Sequence, residues 1–282
     1  MNHYILTLSC PDRTGIVHTV SGWLVQRNGN IVQAQQFGDE ETQRFFLRIE
    51  FALPEPISAK TLEAEFASIA AQFSMQAHIY DASVKARLLI LVSRQGHCLN
   101  DLLFRAHSGQ LPVKIAAVVS NHTDHAGLAA SYGIPFHHMP VTPETRAEQE
   151  QQILQLSNEL NIDLVVLARY MQILSTDLCR ALSGNAINIH HSFLPSFKGA
   201  RPYHQAHARG VKIIGATAHY VTEDLDEGPI IEQDIERVNH ATSPTELTRV
   251  GSDVESLVLA RAVRAHVERR IFLNGQRTVV FN

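Results

Sequence analysis

Cysteine is scarce in this sequence. Cys10, Cys98 and Cys179 are the three among 282 residues, far apart and in no C-x-x-C pair. An odd, scattered set excludes a disulfide framework and points to a reducing compartment. Long apolar runs are missing as well, and none approaches the roughly 18 residues of a membrane span. The start, MNHYILTLSCPDRTG, lacks the basic flank and extended apolar core of a secretory signal, because Pro11 and Asp12 interrupt it at once. Nor is there an excess of positive charge. The formal net charge is -4, which leaves no general attraction to nucleic acid or an anionic membrane. A cytoplasmic protein is the expectation.

Several motifs of α/β enzymes are absent too. A dinucleotide site would place G-x-G-x-x-G after the first strand of the second half, but VSRQGHCLND offers Gly96 alone. No Walker-type phosphate loop and no G-x-S-x-G nucleophile elbow occur. Cys98 has no implied partner for nucleophilic catalysis. Sixteen histidines raise the question of a metal. However, the pairs His137-His138 and His190-His191 are adjacent on strand-like runs, where neighbours point to opposite faces. No H-E-x-x-H accompanies them, so no metal is expected.

What is present is an ordinary globular composition, 45% hydrophobic and 18% charged, in a chain long enough for two compact domains. Residues 1–83 read strand YILTLSC, helix IVHTVSGWLVQRNG, strands NIVQAQQFGD and RFFLRIEFAL, helix SAKTLEAEFASIAAQFS and strand MQAHIYDA. This β-α-β-β-α-β order is the ferredoxin-like split arrangement. Residues 84–282 alternate strand and helix, from RLLILVS through KIAAVVSN and DLVVLAR to AINIHH. Such alternation predicts a Rossmann-like domain with a mostly parallel sheet and its site off the carboxyl ends of the strands. Two more extended runs, KIIGATAHYV and GPIIEQDIERV, and a helix from about Ser243 to Ile271 complete it.

The chemistry concentrates in AINIHHSFLPSFKGARPYHQA. Asn188 and His190 are i and i+2 on a strand, so they share one side while Ile187 and Ile189 share the other. YVTEDLDEGPII follows, with Asp224 and Asp226 in a loop closed by Gly228-Pro229. An amide donor, an imidazole and a carboxylate are the parts needed to attack a carbonyl with water or an amine. Taken singly, Asn188 reads as a strand-end hydrogen bonder and Asp226 as a turn residue, while Met171, Ile173 and Leu174 read as core.

Two resemblances sharpen these expectations. CPDRTGIVHTVSGWLVQRNGNI resembles the start of an ACT domain, a small regulatory module. The resemblance implies a small amino-acid effector, with Asp12, Gly15 and Asn30 as candidate contacts, and a homo-oligomer formed by paired ACT sheets. INIHHSFLPSFKGARPYHQAHARGVKIIGATAHYVTEDLDEGPIIEQD closely resembles the core of the folate-dependent formyltransferases. That family's catalytic Asn, His and Asp fall on Asn188, His190 and Asp226. LARYMQILS matches a segment lining the pterin pocket, which implies folate contacts from Met171, Ile173 and Leu174, joined by Val221 and Asp224 of the following loop and by His219.

The transferring members read N-I-H-P where this chain reads N-I-H-H, and they lack an ACT domain. The combination, with GHCLNDLL, implies the hydrolytic branch, which converts 10-formyltetrahydrofolate to formate and tetrahydrofolate. Formate then supplies purine synthesis and balances one-carbon pools. The folate is the substrate and no cofactor is implied. His191 is expected either to point away from the reacting face or to begin the loop, and to shape the acceptor side so that water fits and an amine does not. Ser252 stands where the resemblance would place an arginine. A transferase with an amine acceptor and a non-catalytic amino-acid sensor are the alternatives.

Overall fold

The structure is a computed structural model that describes residues 1–194 and 202–282. Residues 195–201, part of the loop quoted above, lie outside the described residues. The chain divides into two compact units: residues 1–85 with 268–282, and residues 86–267. The sequence reading placed everything from residue 84 onward in the second domain, whereas the structure assigns the last segment to the first unit.

The first unit has the expected element order. It runs β1 (Asn2–Pro11), α1 (Ile16–Val25), β2 (Asn30–Asp39), β3 (Arg44–Leu53), α2 (Ala59–Phe73) and β4 (Gln76–Asp81), with an antiparallel sheet ordered β2-β3-β1-β4. Its core sits between the sheet and the two helices. There Trp23 stands edge-on to Phe51 and Phe66 at centroid distances of 6.3 and 5.1 Å. Asn28 takes the left-handed turn that ends α1, at φ 53°, and the Gly29 amide donates to the Leu24 carbonyl.

The other face of β3 is not open to water. Phe46 is fully buried against Phe272 and Phe281, and Arg48, also buried, donates to the Glu268 carbonyl. The cover is a hairpin, β12 (Ile271–Asn274) and β13 (Arg277–Val280), turning at Gly275. The sequence reading ran the last helix into this segment. Asn274-Gly275 is a hairpin turn signal, and Ile271, Phe272, Thr278, Val279 and Val280 suit strands.

In the second unit the strands β5 (Ala86–Val92), β6 (Val113–Ser120), β7 (Phe136–His138), β8 (Leu164–Leu167), β9 (Ala186–His190), β10 (Ile213–Tyr220) and β11 (Ile230–Arg237) form one sheet. Its order is β11-β10-β9-β8-β5-β6-β7. The neighbours from β7 to β9 pair parallel, while β10 and β11 join antiparallel. Helices α3 (His97–His107), α4 (Ala126–Ser131), α5 (Arg146–Glu159), α6 (Thr176–Ala181) and α7 (Pro202–Ala208) intervene, and α8 (Pro244–Val267) follows the sheet. The expected mostly parallel sheet is present, and the central strand β5 is buried on both faces as such sheets require. Ser243 caps α8 by accepting from the Glu246 amide, and Glu246 accepts from the Ser243 amide in return. α8 packs on α3, β9, β10 and β11 and so supports the site from behind.

Candidate active site

Strand pleating and register bring the first three groups together. Asn188 on β9 lies directly opposite His219 on β10, and His190 lies opposite Thr217. Asn188 and His219 therefore share a face, and the Asn188 amide meets His219 Nε2 at 3.3 Å. His219 Nδ1 donates to the Tyr220 carbonyl at 2.9 Å, which leaves Nε2 to accept from Asn188 Nδ2.

The fourth group arrives by a fold-back. β10 runs antiparallel to β9, so it ends beside Ile187, away from His190. The loop 221–229 must then return over the face to reach the imidazoles. Gly228 permits that return: a Cβ there would sit 1.7 Å from the Tyr220 carbonyl oxygen. Asp226 adopts φ 59° in the loop, a left-handed conformation that aspartate tolerates better than most residues. Its carboxylate lies 3.2 Å from His190 Nδ1 and 3.7 Å from His219 Nε2. Burial pushes the Asp226 carboxyl up, but the hydrogen bond from His190 outweighs it and holds the group well below the usual carboxylate range. Ionised Asp226 only accepts, so His190 carries a proton on Nδ1. His190 Nε2 is buried and has no hydrogen-bond partner among the described residues.

These groups line a cavity of about 340 Å3. Its wall includes Met171, Ile173 and Leu174 from the segment after β8, and Val221, Asp224 and Leu225 from the fold-back loop. Met171, Ile173 and Leu225 are 58, 60 and 56% exposed, an apolar patch of the kind a flat ring system covers. The sequence-derived catalytic and folate-contact residues thus meet at one cavity. Leu225, within the Val221–Asp226 loop that the resemblance pointed to, is part of the same wall.

His191 begins the loop and does not occupy the opposite strand face. The strand ends at His190, so the alternation of faces stops there and His191 also lines the cavity. Its ring stacks on that of His190, with centroids 4.8 Å apart and planes at 23°. Arg169 Nη1 donates to His191 Nδ1 at 2.7 Å. Burial, with the Arg169 guanidinium and His190 adding to it, pushes the His191 imidazole down to about 4. Neutral His191 therefore carries its proton on Nε2, the only nitrogen free to hold one.

Behind Arg169 stands a buried network that the sequence reading did not single out. Arg169 Nε lies 2.7 Å from Gln95 Oε1 and 3.3 Å from Glu255 Oε2. Glu255, only 1% exposed, also accepts from His97 Nε2 and the Tyr203 hydroxyl, each at 2.7 Å. Burial pushes the Glu255 carboxyl up, but the His97 hydrogen bond and the Arg169 guanidinium outweigh it. Tyr203 reaches Glu255 because Gly251, one turn earlier on α8, leaves room: a Cβ there would lie 2.0 Å from the Tyr203 hydroxyl. The one signal was Glu255 next to the apolar run that starts at Leu257, on the face of α8 that packs inward, but spacing alone does not identify its partner.

His97, Cys98 and Glu255 have potential ligand atoms within 4.8 Å of one another. A cation there would face the Arg169 guanidinium and a thiol that burial pushes far up, so the group is an ion-pair network and a poor donor set. Ser252, where an arginine was expected, hydrogen-bonds only within α8 in the described contacts, to the Thr248 carbonyl and from Ser256.

In the first unit the candidate effector residues are not brought together. Asp12 follows β1 at the end of the sheet where Gly38 and Arg44 lie, and Gly15 starts α1 nearby at φ 92°. Asn30 pairs with Ala52 at the opposite end. At about 3.3 Å per residue, some 25 Å of strand separates the two ends.

Comparison with known proteins agrees with both units. The formyl transferase family matches residues 86–263 and the ACT domain matches residues 4–67. Formyltetrahydrofolate deformylase of Corynebacterium sp. (strain P-1) is 50% identical over 280 residues, covering 98% of this chain and 97% of the relative. The crystal structure of formyltetrahydrofolate deformylase from Burkholderia mallei has 52% identity and a TM-score of 0.96, with 100% of both chains covered. Glycinamide ribonucleotide transformylase 1 from Symbiobacterium toebii has 31% identity and a TM-score of 0.65, covering 70% of this chain and 95% of that one.

Proposed function

The chain belongs to the formyltetrahydrofolate deformylase family, and we propose that its reaction, hydrolysis of 10-formyltetrahydrofolate to formate and tetrahydrofolate, runs on Asn188, His190 and Asp226. The observation that carries the assignment is the convergence of Asp226 on His190 and His219, at 3.2 and 3.7 Å, beside Asn188 on one cavity wall. The pterin ring lies against Met171, Ile173 and Leu225, with Leu174, Val221 and Asp224 completing the wall.

A water oxygen bonds to the formyl carbon, and the carbonyl oxygen becomes an oxyanion. The Asn188 amide, oriented by His219, stabilises that charge, joined by the His190 ring once its Nε2 has taken the proton from water. Asp226 is a poor resting place for a proton because its acidity is raised, so the proton lost by water passes to His190 while Asp226 holds the imidazolium. Collapse of the tetrahedral species breaks the bond from carbon to N10, and His190 returns the proton to N10. Formate and tetrahydrofolate leave, the formate supplying purine synthesis and one-carbon pools.

The test is formate release from 10-formyltetrahydrofolate with no acceptor added. Steady turnover in the wild type supports hydrolysis. Formate appearing only with an amine present, as a formylated product, indicates transfer instead.

Three further points belong to the same reading. The ACT unit takes a small amino-acid effector near Asp12 and Gly15, to which Asn30 contributes only from a second copy, and the protein forms a homo-oligomer. No cofactor is needed for the chemistry above. The compartment is the cytoplasm, in keeping with three buried unpaired cysteines; no helix among the described residues is long and apolar enough to cross a membrane.

A further inference from the structure

A catalytic imidazole has two side-chain torsions, and Asp226 contacts only one edge of the His190 ring, through Nδ1. The ring needs a second restraint to hold its plane. In this chain the face of His190 is met by His191, at a centroid distance of 4.8 Å and nearly parallel. His191 cannot turn freely either, because Arg169 Nη1 donates to its Nδ1 at 2.7 Å. A guanidinium only donates, so this contact fixes both the ring plane of His191 and its tautomer.

Arg169 is itself immobilised to an unusual degree. It is 6% exposed, its backbone is left-handed at φ 63°, and its guanidinium is shared between Gln95 and Glu255. Glu255 in turn is held by His97 and Tyr203. A non-glycine residue at positive φ persists only where its surroundings over-determine it, and such strain gathers at functional sites. The chain of contacts starts in α8, passes through Arg169 and His191, and ends on the reacting pair.

We propose that Arg169 is a positioning residue for the reaction, acting through His191 to hold the His190 ring against Asp226. The inference rests on the hydrolytic reading for its kinetic consequence, though not for its structural one. It also gives His191 a reason for its place: a proline there would neither accept from Arg169 nor stack as a flat aromatic ring. The charged and titratable groups facing His191 are Arg169, His190, Asp226 and Glu255. With the Arg169 cation removed, the His191 proton affinity rises, although burial still opposes its charge, and a cation forms beside His190 at higher pH than in the wild type.

Two variants test this, Arg169→Met and His191→Asn. Asn keeps an acceptor for Arg169 but removes the ring. In both, kcat is expected to fall about 10- to 100-fold, because a reacting group displaced by about 1 Å loses that much. KM should change much less than kcat, since both variants leave in place Met171, Ile173 and Leu225, against which the pterin lies. Arg169→Met should also move the acid limb of the kcat profile to higher pH, and the double variant Arg169→Met/His191→Asn should lose that added limb because asparagine does not titrate. Nuclear magnetic resonance of histidine ring nitrogens gives a readout independent of turnover. The wild type should show His191 protonated on Nε2 and a hydrogen-bonded Nδ1 proton on His190, and both variants should lose the latter. If Arg169→Met fails to fold because Glu255 loses its cation, His191→Asn alone decides. A folded His191→Asn with kcat within about twofold of wild type, or with the His190 proton signal intact, overturns the proposal. Absence of acceptor-free formate release in the wild type would instead remove the hydrolytic reading, and the ring-nitrogen spectra would still decide the positioning.

Discussion

An aspartate held at φ 59° with its carboxylate between two imidazoles is a narrow target for substitution. Asparagine tolerates the same backbone and fills the same volume, so Asp226→Asn isolates the charge. Formate release should fall by about 10² to 10⁴-fold, measured by acceptor-free assay, while folate binding followed by fluorescence titration stays within reach of wild type. Asn188→Ala should cost about 10² to 10³-fold in kcat. At this scale the sequence was highly legible. Asn188 and His190 are two apart on a strand, and pleating alone puts them on one side. For His191 alternation left two readings, the opposite strand face or the start of the loop, and the structure has the second, because β9 stops at His190. Nothing in the local sequence marks that end, because it depends on which partner strand still pairs.

The element that assembles the site is the loop 221–229, and its essential glycine is Gly228. Gly228→Ala would press a methyl group onto the Tyr220 carbonyl oxygen and lift Asp226 from His190. The expected outcome is a loss of kcat comparable to that of Asp226→Asn, with the rest of the fold retained by circular dichroism. The segment after β8 carries a different prediction. Met171 and Ile173 are more than half exposed, so Met171→Asp or Ile173→Asp should leave thermal stability nearly unchanged. Each should weaken folate binding by about 10-fold or more, since burying a charge against a ring system is unfavourable; isothermal titration checks it. Strands and helices were largely readable from periodicity. The hairpin of β12 and β13 was not, because Glu268, Arg269 and Arg270 after α8 suit a helix end as well as a linker, and the strands are only four residues each. The cue lay elsewhere, in β3, where Phe46 sits on the face away from the helices and needs a cover.

For the molecule as a whole, acid should destabilise in two stages. His191 is held down to about 4, so from the ordinary histidine value near pH 6.5 down to that point the unfolded chain binds a proton the folded chain does not. Stability from this group is complete above pH 6.5 and lost as pH falls toward 4, an effect on the order of 3 kcal/mol. Below about pH 4 the depressed carboxyls of Asp226 and Glu255 come into play, and their contribution is lost as pH falls through their folded values. Melting curves of the wild type and His191→Asn between pH 7 and 4 check the first stage, which should flatten in the variant. The class of the molecule follows from order along the chain: β-α-β-β-α-β, then alternating β and α, then a strand carrying Asn188 and His190. Such features are local, set by the periodicity of the backbone and the residues that fit it. The placement of Asp226, the Arg169–Glu255 support beneath His191 and the return of the last hairpin to the first unit are contacts between segments distant in sequence. No periodicity encodes them, because each depends on strand register, on the room a glycine leaves, or on a buried charge finding its partner in three dimensions.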